Sequence, residues 1–309
     1  MVGSGRYTAA PMTANLPPNS GLLSLRREAR GQEHEHEHDD EQESDYRLHR
    51  RFDRIGRLVG DVAMRKLLSS HVMVIGLGGV GSWAAEVLAR SGVGRLTLVD
   101  FDLVCVTNAN RQLHAMRGTT GKPKATVMAE RLRSIHPTCA VEAVRSFYEA
   151  ESSKELLARK PDLVIDAIDN LTAKAHLIAS CRARELPLIV SGGASGRLDP
   201  TQVRVSDLSE VEGDPLLRSL RKILRRRHQF PAGRGWMLPT VHSLEPTAEP
   251  FELDYDDGNG FRCVCPQGDN GKHTCDARNL ILGTAGFVTG TFGFTCASVA
   301  VRELTRSST

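Results

Sequence analysis

The chain has 309 residues, of which 40% are hydrophobic and 25% charged, and this is the composition of a soluble globular protein. The 40 basic and 37 acidic side chains leave a net charge of only +3, which excludes nucleic-acid binding driven by overall charge but not by a local basic patch. The seven cysteines are odd in number and scattered, so a disulfide scaffold is excluded and a reducing, cytosolic setting is expected.

The first 45 residues predict a disordered tail. They contain few apolar side chains and three prolines, and residues 33–45 carry eight acidic residues without a single Lys or Arg. Such a segment cannot bury enough apolar surface to offset the entropy lost on ordering. The early arginines leave an organellar transit peptide as an alternative, and histidines alternate with glutamates in a tract that could bind metal loosely.

From residue 71 onward, short β-branched runs alternate with amphipathic stretches of helical length. We predict strands over residues 72–75, 96–99, 140–144, 163–167 and 188–190. The clearest helix begins at Pro123, places apolar residues on one face and ends at His136, before Pro137. This order predicts an α/β fold with a doubly wound, mainly parallel, Rossmann-like sheet covered by helices on both faces.

A hairpin is predicted after the fifth strand, and the chain is harder to assign beyond residue 206. Residues 197–205 predict a β-hairpin with Asp199-Pro200 at its turn, and residues 234–272 are rich in Gly, Pro and acidic side chains, which predicts long loops. Residues 279–301 carry no charge. They favour a buried hairpin or core helix over a membrane span, because Thr, Ser and Gly occupy the place of a Leu-rich centre.

A glycine cluster follows the first predicted strand. Gly76, Gly78, Gly79 and Gly81 lie within GLGGVG, directly before the helical run 82–89. Glycines in this setting allow a tight turn and let backbone N–H groups at a helix N-terminus approach phosphate. The motif alone does not distinguish NAD, FAD and ATP sites, and a turn that only lets strand and helix pack is the alternative.

Polar residues after the second strand favour a triphosphate. Asp100 stands nineteen residues past Gly81, where a carboxylate accepts hydrogen bonds from ribose hydroxyls. Beyond it come residues that hydride transfer does not need, namely Asp102, Asn108, Asn110, Arg111, Gln112, Lys122 and Lys124. Arg111 can bind two phosphate oxygens and Lys124 adds a positive charge near a helix start, although each alone also fits a solvated surface position.

The fourth predicted strand leads to Asp169. Because the carboxyl ends of parallel strands meet at one edge of the sheet, Asp169 is expected over the same crevice as Gly76 and Asp100. A carboxylate facing a triphosphate is repelled unless a divalent cation lies between them, so we predict that Asp169 binds a mostly hydrated Mg²⁺. A helix N-cap formed by Asp169 or Asn170 is the alternative.

A basic segment at residues 218–227 contains six basic side chains and no acidic one. On a helix it would be amphipathic, with a basic face and a leucine face. The two faces consist of Arg218, Arg221, Lys222 and Arg225, and of Leu217, Leu220 and Leu224. The basic face fits RNA phosphates, and the alternative is a solvated helix surface.

A cluster of potential zinc ligands lies further on. Cys263, Cys265, His273 and Cys275 fall within thirteen residues and could hold Zn²⁺. Their CxC and HxC spacings are tighter than those of usual structural zinc sites, so reduced surface thiols are the alternative.

Six motifs together resemble the ubiquitin-activating-enzyme-like (ThiF/MoeB/HesA) superfamily. They are RxxR at residues 51–54, GLGGVGS at 76–82, LVDFDLV at 98–104, TNANRQ at 107–112, GKPK at 121–124 and DAIDN at 166–170. Within it, stretches such as GGVGSWAAEVLARSG, LDPTQVRVSDL and TGTFGF are similar to the tRNA threonylcarbamoyladenosine dehydratase branch (TcdA/CsdL). The resemblance extends from about residue 50 to the C-terminus.

The resemblance implies an ATP-dependent enzyme that adenylates the carboxylate of threonylcarbamoyladenosine in tRNA, with no role for DNA. It implies that Asp100 binds ribose, that Asn108, Arg111 and Lys124 bind phosphates, and that Asp169 binds Mg²⁺. It also implies a homodimer in which Arg54 reaches the partner's ATP, with Arg51 and Arg57 as alternatives. A sulfur acceptor or cysteine desulfurase is a further possible partner. Thr240 stands where some relatives carry a cysteine, which argues against a sulfur relay there.

Other functions stay open at this point. An adenylyltransferase that activates the C-terminus of a ubiquitin-like or sulfur carrier would use the same site, and so would a module that holds nucleotide or RNA without turnover. The expected organisation is a disordered tail over residues 1–45, an ATP-binding core over 46–206, and a C-terminal part over 207–309 that carries the basic helix and closes the same domain.

Overall fold

The computed structural model describes residues 50–254 and 282–306. The predicted tail over residues 1–45 lies outside the described residues. The same is true of the candidate zinc ligands, which are Cys263, Cys265, His273 and Cys275.

A seven-stranded sheet forms the centre of the fold, in the order β3-β2-β1-β4-β5-β7-β6. The strands are β1 His71–Ile75, β2 Arg95–Val99, β3 Ala140–Val144, β4 Leu163–Asp166, β5 Leu188–Ser191, β6 Val203–Asp207 and β7 Pro239–Ser243. All neighbouring strands pair in parallel except β6, which is antiparallel to β7. Every residue of β1, β4 and β5 is buried, as in a sheet covered on both faces. The predicted α/β architecture is confirmed.

Eight α-helices accompany the sheet in the described part of the chain. They are α1 Asp53–Val59, α2 Asp61–Ser69, α3 Gly81–Arg90, α4 Lys124–Ile135, α5 Ala150–Leu157, α6 Leu171–Arg182, α7 Pro215–His228 and α8 Gly286–Thr305. Local sequence sets several of their ends. Asp214 accepts a hydrogen bond from Leu217 N–H and caps α7, where Pro215 suits the first turn. Pro123 directly precedes α4, and His136 ends it before Pro137, as predicted.

The strand order reverses between β1 and β4. β1 connects outward through β2 and β3 on one side, whereas β4 and β5 lie on the other. In a doubly wound sheet, such a reversal opens a crevice beyond the carboxyl ends of the two central strands. The glycine loop after β1 and the segment after β4 therefore meet at this edge.

Two predictions in the C-terminal third were wrong. Residues 197–205 do not form a hairpin, because Pro200–Gln202 is a 3-10 turn and β6, which follows it, pairs with β7 about 35 residues later. The predicted loop region 234–272 contains β7, which is inserted between β5 and β6. Residues 255–272 of that region are outside the described part of the chain.

The uncharged stretch over residues 279–301 is a core helix from Gly286 onward. Helix α8 buries Val288, Phe292, Cys296 and Ala300 and packs against α3. Among the described residues, no helix combines the length and hydropathy that a bilayer crossing needs. The core-helix alternative is thus the one that the structure contains.

Candidate nucleotide-binding site

Two glycines of the loop after β1 are required by the chain itself. Gly76 has a φ of +89°, and a Cβ there would lie 2.7 Å from the Ala167 carbonyl oxygen. A Cβ on Gly81 would lie 1.8 Å from the Gly76 carbonyl oxygen. The packing interpretation of the motif therefore accounts for both residues without a ligand.

The fold itself does not demand the middle glycine of the loop. A Cβ on Gly78 would have no neighbour nearer than Gln112 Nε2 at 4.0 Å. Gly79 is closer to its surroundings, because its Cβ would lie 3.1 Å from the Thr289 side chain of α8. Open space beside Gly78 is what a loop that approaches phosphate through its backbone requires.

Asp100 joins the end of β2 to the glycine loop. Its Oδ2 accepts a hydrogen bond from Leu77 N–H at 2.6 Å, and its Oδ1 accepts one from Asp102 N–H at 2.8 Å. Burial raises the pKa of this carboxyl, while Lys124 and the two N–H groups act in the opposite direction. The predicted ribose ligand is thus a carboxylate that also fixes the loop.

Lys124 is a buried cation among carboxylates. Its Nζ lies 2.8 Å from Asp102 Oδ2, and its side chain is only 7% exposed. Burial alone would lower its pKa, but Asp100 and Asp102 more than offset this effect, so the pKa is raised and the ammonium stays charged. Asp169 adds to the same attraction. The fold therefore brings together residues from the ends of β2 and β4 and from the start of α4.

Asn108 and Arg111 bind the protein backbone in this structure. Asn108 is buried, and its Oδ1 accepts a hydrogen bond from Cys105 N–H at 3.0 Å. Arg111 Nη1 donates to the Thr107 carbonyl at 2.9 Å and to Asn110 Oδ1 at 2.8 Å. The loop that carries both residues is therefore held by its own polar side chains.

Asn170, and not Asp169, caps the helix after β4. Its Oδ1 accepts hydrogen bonds from Thr172 N–H and Ala173 N–H, both at 3.0 Å. Asp169 is exposed beside this cap. Residues 50–254 and 282–306 contain no group of three or more His, Cys, Asp or Glu side chains that could hold a metal ion. One carboxylate that shares a hydrated Mg²⁺ with substrate phosphates fits this arrangement, and a protein cage for the ion does not.

The three candidate arginines near the N-terminus differ in their contacts. Arg57 Nε pairs with Asp53 at 3.0 Å within α1, and Arg51 Nη1 donates to the Ile135 carbonyl at 3.5 Å. Arg54 is exposed on α1 and makes no hydrogen bond or ion pair with the described residues. Within the described part of the chain, Arg54 is thus the one of the three whose guanidinium has no such contact.

A buried ion pair behind the site escaped the sequence analysis. Lys174 Nζ lies 2.9 Å from Asp166 Oδ1, with both side chains 0% exposed, and donates to the Ile168 carbonyl at 3.0 Å. Lys174 thus binds the segment between β4 and α6 from the buried side, and this segment carries Asp169. The available signal was a lysine on the inner, apolar face of a helix, where a charge needs a partner.

His114 is a second buried group that the sequence did not reveal. It is 0% exposed, neither ring nitrogen has a hydrogen-bond partner among the described residues, and burial with the charge of Lys124 lowers its pKa to about 3. Gln112 Oε1, two residues earlier, is also buried and unpartnered within the described chain. Both residues belong to the stretch that follows Arg111, and His114 is within electrostatic reach of Lys124.

His114 should make stability depend on pH. The unfolded chain binds a proton here below about pH 6.5, whereas folded His114 stays neutral down to about pH 3. The part of the folding stability that depends on neutral His114 is therefore fully present at pH 7. It is lost by roughly 1.4 kcal/mol per pH unit as the pH falls through this range. In His114→Leu, urea unfolding at pH 7 and pH 5 should show a pH dependence smaller by about one proton. An unchanged slope would contradict the neutral, buried state.

Comparison with known proteins places the chain in a family. A family model described as the ThiF family matches residues 52–308. The tRNA threonylcarbamoyladenosine dehydratase of Haemophilus influenzae is 42% identical over 258 residues, which cover 82% of this chain and 93% of the relative. The Escherichia coli enzyme of the same name is 41% identical over 256 residues, with the same coverage of both chains.

Solved structures agree with this similarity. The E. coli tRNA N6-threonylcarbamoyladenosine dehydratase in complex with ATP matches with a TM-score of 0.69 and 39% identity over 82% of this chain and 93% of that chain. Its AMP complex matches with a TM-score of 0.70 and 38% identity, over 84% and 97% of the two chains. The E. coli molybdopterin-synthase adenylyltransferase is 33% identical over 57% of this chain. The chain therefore belongs to the ThiF family.

Proposed function

We propose that this chain is an ATP-dependent tRNA threonylcarbamoyladenosine dehydratase. The observation that carries the proposal is its identity of 41–42% with two enzymes of that name, over 93% of their length. The buried Lys124 between Asp100 and Asp102, at the carboxyl edge of the sheet, supports it. A positive charge in this crevice suits a polyphosphate.

The reaction has two steps in this proposal. A carboxylate oxygen of the threonylcarbamoyl group attacks the α-phosphorus of ATP, and the bond to pyrophosphate breaks, which leaves an acyl-adenylate. The ureido group of the same modification then attacks the acyl carbon, loses its proton to solvent and expels AMP. Because the substrate supplies both nucleophiles, the protein's task is positioning and charge neutralisation, which fits a site of cations, carboxylates and glycines.

The residue roles follow from this chemistry. Asp100 accepts from the ribose, and Lys124, Arg111 and Asn108 hold phosphate oxygens. Arg111 and Asn108 must exchange their present backbone contacts for the nucleotide, at a cost that the charged phosphates offset. Gly78 gives the phosphates access to the backbone of the loop.

Mg²⁺ belongs to the proposed site through Asp169. When bound, the ion neutralises phosphate charge during the departure of pyrophosphate. Asp169 is exposed and within electrostatic reach of Lys124, so this chain holds one carboxylate at the place where a hydrated ion would be shared with the nucleotide. The zinc site at residues 263–275 stays a prediction.

Modified tRNA decides between the candidate functions. In cells that lack the gene, mass spectrometry of tRNA nucleosides should show loss of the cyclic modification and accumulation of its linear precursor. The purified protein should release pyrophosphate only when tRNA with the linear form is added. Unchanged nucleosides with pyrophosphate release driven by a carrier protein would mark an adenylyltransferase instead, and no release at all would mark a binding module.

We also propose a homodimer in which Arg54 completes the partner's site. Lys124→Ala and Arg54→Ala proteins should each be nearly inactive. After subunit exchange, half of the dimers carry one site with an intact Lys124 and a partner with an intact Arg54, so the mixture should regain about a quarter of wild-type activity. Pyrophosphate release by the mixture, compared with each variant alone, measures this.

Two controls accompany the mixing experiment. Arg57→Ala, which removes an arginine already paired with Asp53, should keep most of its activity. Light scattering establishes whether the protein is a dimer at the assay concentration. A mixture no more active than its components would place Arg54 in its own subunit's site or outside the chemistry.

The basic helix is the proposed contact for tRNA. Leu217, Leu220 and Leu224 are fully buried, as predicted, while Arg218 and Lys222 are exposed. Arg221 was assigned to the same basic face, but it is half-buried and donates to the Leu208 carbonyl at 3.3 Å. The exposed basic face of α7 is thus narrower than the sequence suggested.

Removing two charges from this face should weaken tRNA binding and its salt dependence together. In Arg218→Ala/Lys222→Ala, the slope of log affinity against log salt concentration should become less steep by about 1 to 2, because a phosphate that is no longer contacted keeps its counterions. Filter binding at several salt concentrations measures it. Lys154→Ala, which removes one exposed charge from α5, is the control. An unchanged slope in the double variant would exclude α7 as the RNA contact.

The remaining proposals concern setting and partners. We place the enzyme in the cytoplasm, where its tRNA substrate is found. A sulfur acceptor or cysteine desulfurase partner is retained without a relay at position 240, because Thr240 is fully buried in β7 and its hydroxyl donates to the Leu238 carbonyl. The domain organisation is kept as expected, with residues 207–309 closing the core formed by 46–206.

A further inference from the structure

A buried ion pair joins the basic helix to the loop after β5. Asp214 Oδ1 accepts from Leu217 N–H at 3.0 Å and caps α7, while its Oδ2 accepts from Gly193 N–H at 3.0 Å. Arg197 Nη2 lies 3.6 Å from the same Oδ2, and both side chains are 1% exposed. The first turn of α7 and the loop at residues 192–197 are therefore held by one carboxylate.

The guanidinium of Arg197 fixes the shape of this loop. Its Nη1 donates to the Gly193 carbonyl and to the Ser195 carbonyl, and its Nε donates to the Glu245 carbonyl at 3.0 Å. A buried ion pair rarely stabilises a protein more than apolar residues of the same size would. What it does supply is one defined arrangement, since every other placement leaves a buried charge unpaired.

From this loop, a chain of contacts continues to Arg111. Thr284 Oγ1 donates to Ser195 Oγ at 3.2 Å, and Gly196 N–H donates to the Gly283 carbonyl at 2.7 Å. The Thr284 carbonyl accepts from Asn110 Nδ2 at 2.8 Å, and Asn110 Oδ1 accepts from Arg111 Nη1 at 2.8 Å. The segment before α8 thus lies between the loop after β5 and the proposed phosphate-binding arginine.

We propose that Arg197 is a positioning residue that couples RNA contact at α7 to the placement of Arg111, so that substrate tRNA tightens the binding of ATP. The inference rests on the proposed function, which supplies both ligands. Phosphate contacts would fix the position of α7, whose first turn is bound to the loop through Asp214. The loop contacts Thr284, and Thr284 contacts Asn110. Because such coupling is reciprocal, nucleotide must tighten the binding of tRNA by the same factor.

Nucleotide binding to the full-length protein tests the coupling. We would titrate α,β-methylene ATP, which cannot release pyrophosphate by attack at the α-phosphorus, with and without tRNA that carries the linear modification. For the wild type, tRNA should raise the affinity about fivefold or more. In Arg197→Met and Asp214→Asn, the enhancement should fall below about twofold, while the affinity without tRNA stays within about threefold of wild type.

The variants separate coupling from loss of structure. Asp214→Asn keeps an oxygen for the helix cap but removes the charge and the acceptor for Gly193 N–H. Thr284→Val removes only the hydroxyl in the middle of the chain of contacts, so it should also reduce the enhancement. Arg204→Met is the matched control, because Arg204 is an exposed arginine on β6 and should keep the full enhancement. Enhancement equal to wild type in Arg197→Met and Asp214→Asn, or none in the wild type, would overturn the inference.

Failure of the inference is distinguishable from failure of the proposed function. If wild-type protein converts the linear modification on tRNA but nucleotide affinity does not depend on tRNA, the coupling is absent and the enzyme assignment stands. If the wild type converts no tRNA at all, the enzyme assignment fails together with the inference.

Discussion

Lys124→Ala should reduce tRNA-dependent pyrophosphate release by about 10²- to 10³-fold, the usual effect of removing one preorganised charged donor from a reacting centre. Lys124 is buried, its ammonium lies 2.8 Å from Asp102, and Asp100 also faces it. Without it, the triphosphate would meet the charges of Asp100 and Asp102 with no ammonium between them to offset the repulsion. The loss should therefore appear in ATP affinity as well as in the rate of adenylation.

Lys154→Ala is the control for this variant. Lys154 is exposed on α5, a helix that carries none of the proposed site residues, so its removal should leave the rate within about twofold of wild type. Thermal unfolding of both variants separates loss of chemistry from loss of fold. A Lys124→Ala protein that is folded and turns over at the wild-type rate would disprove the proposed phosphate site.

Lys174→Met should lower the free energy of unfolding by about 3–5 kcal/mol, because it leaves a fully buried carboxylate without its cation. Lys174 and Asp166 are both 0% exposed, with Nζ and Oδ1 2.9 Å apart. Burial already raises the pKa of Asp166, and Lys174 opposes this rise. In the variant, the pKa of Asp166 should rise further, because burial is no longer opposed by Lys174, and adenylation should also fall because the segment with Asp169 loses an anchor.

A second substitution in the same pair provides the control. Asp166→Asn keeps an oxygen that can accept from Ile168 N–H but removes the charge, so Lys174→Met/Asp166→Asn should recover at least half of the lost stability. Urea unfolding of the wild type, both single variants and the double variant gives the coupling energy. Additive losses would mean that the two charges do not depend on each other.

Much of the fold could be predicted because local sequence patterns determine its strands and helices. The five strands that alternate with helices lie within one or two residues of their predicted bounds, since each is a short β-branched run next to a turn. The helix that starts after Pro123 was equally clear. The glycine loop was assigned to the strand-to-helix turn where it is found, because its spacing has few other uses.

Strand β7 could not be found in this way. Its sequence, PTVHS, begins with a proline, contains a histidine and shows no apolar alternation. It is a strand because β5 and β6 lie on either side of it, and pairing between distant segments leaves no local signal. The false hairpin at residues 197–205 has the same origin, since a turn indicates a change of direction but not the partner of the next strand.

The candidate site, like the fold, was predicted in part and missed in part. Lys124 and Asp100 were predicted and lie together, because both flank elements whose ends meet at one edge of the sheet. The pairs Asp166–Lys174 and Arg197–Asp214 were missed, although each contains residues close in sequence. A lysine or arginine carries no mark of burial in the sequence, so the need for these ion pairs becomes visible only in the packed structure.

Helix α8, the last helix of the described chain, lies beside the glycine loop after β1. Thr289 of α8 lies against Gly79, and a Cβ on Gly286 would lie 2.5 Å from the Asn110 carbonyl oxygen. Since synthesis runs from the N-terminus, a growing chain makes the phosphate loop some two hundred residues before the helix that supports it. A chain truncated before α8 would therefore lack this part of the wall beside the glycine loop.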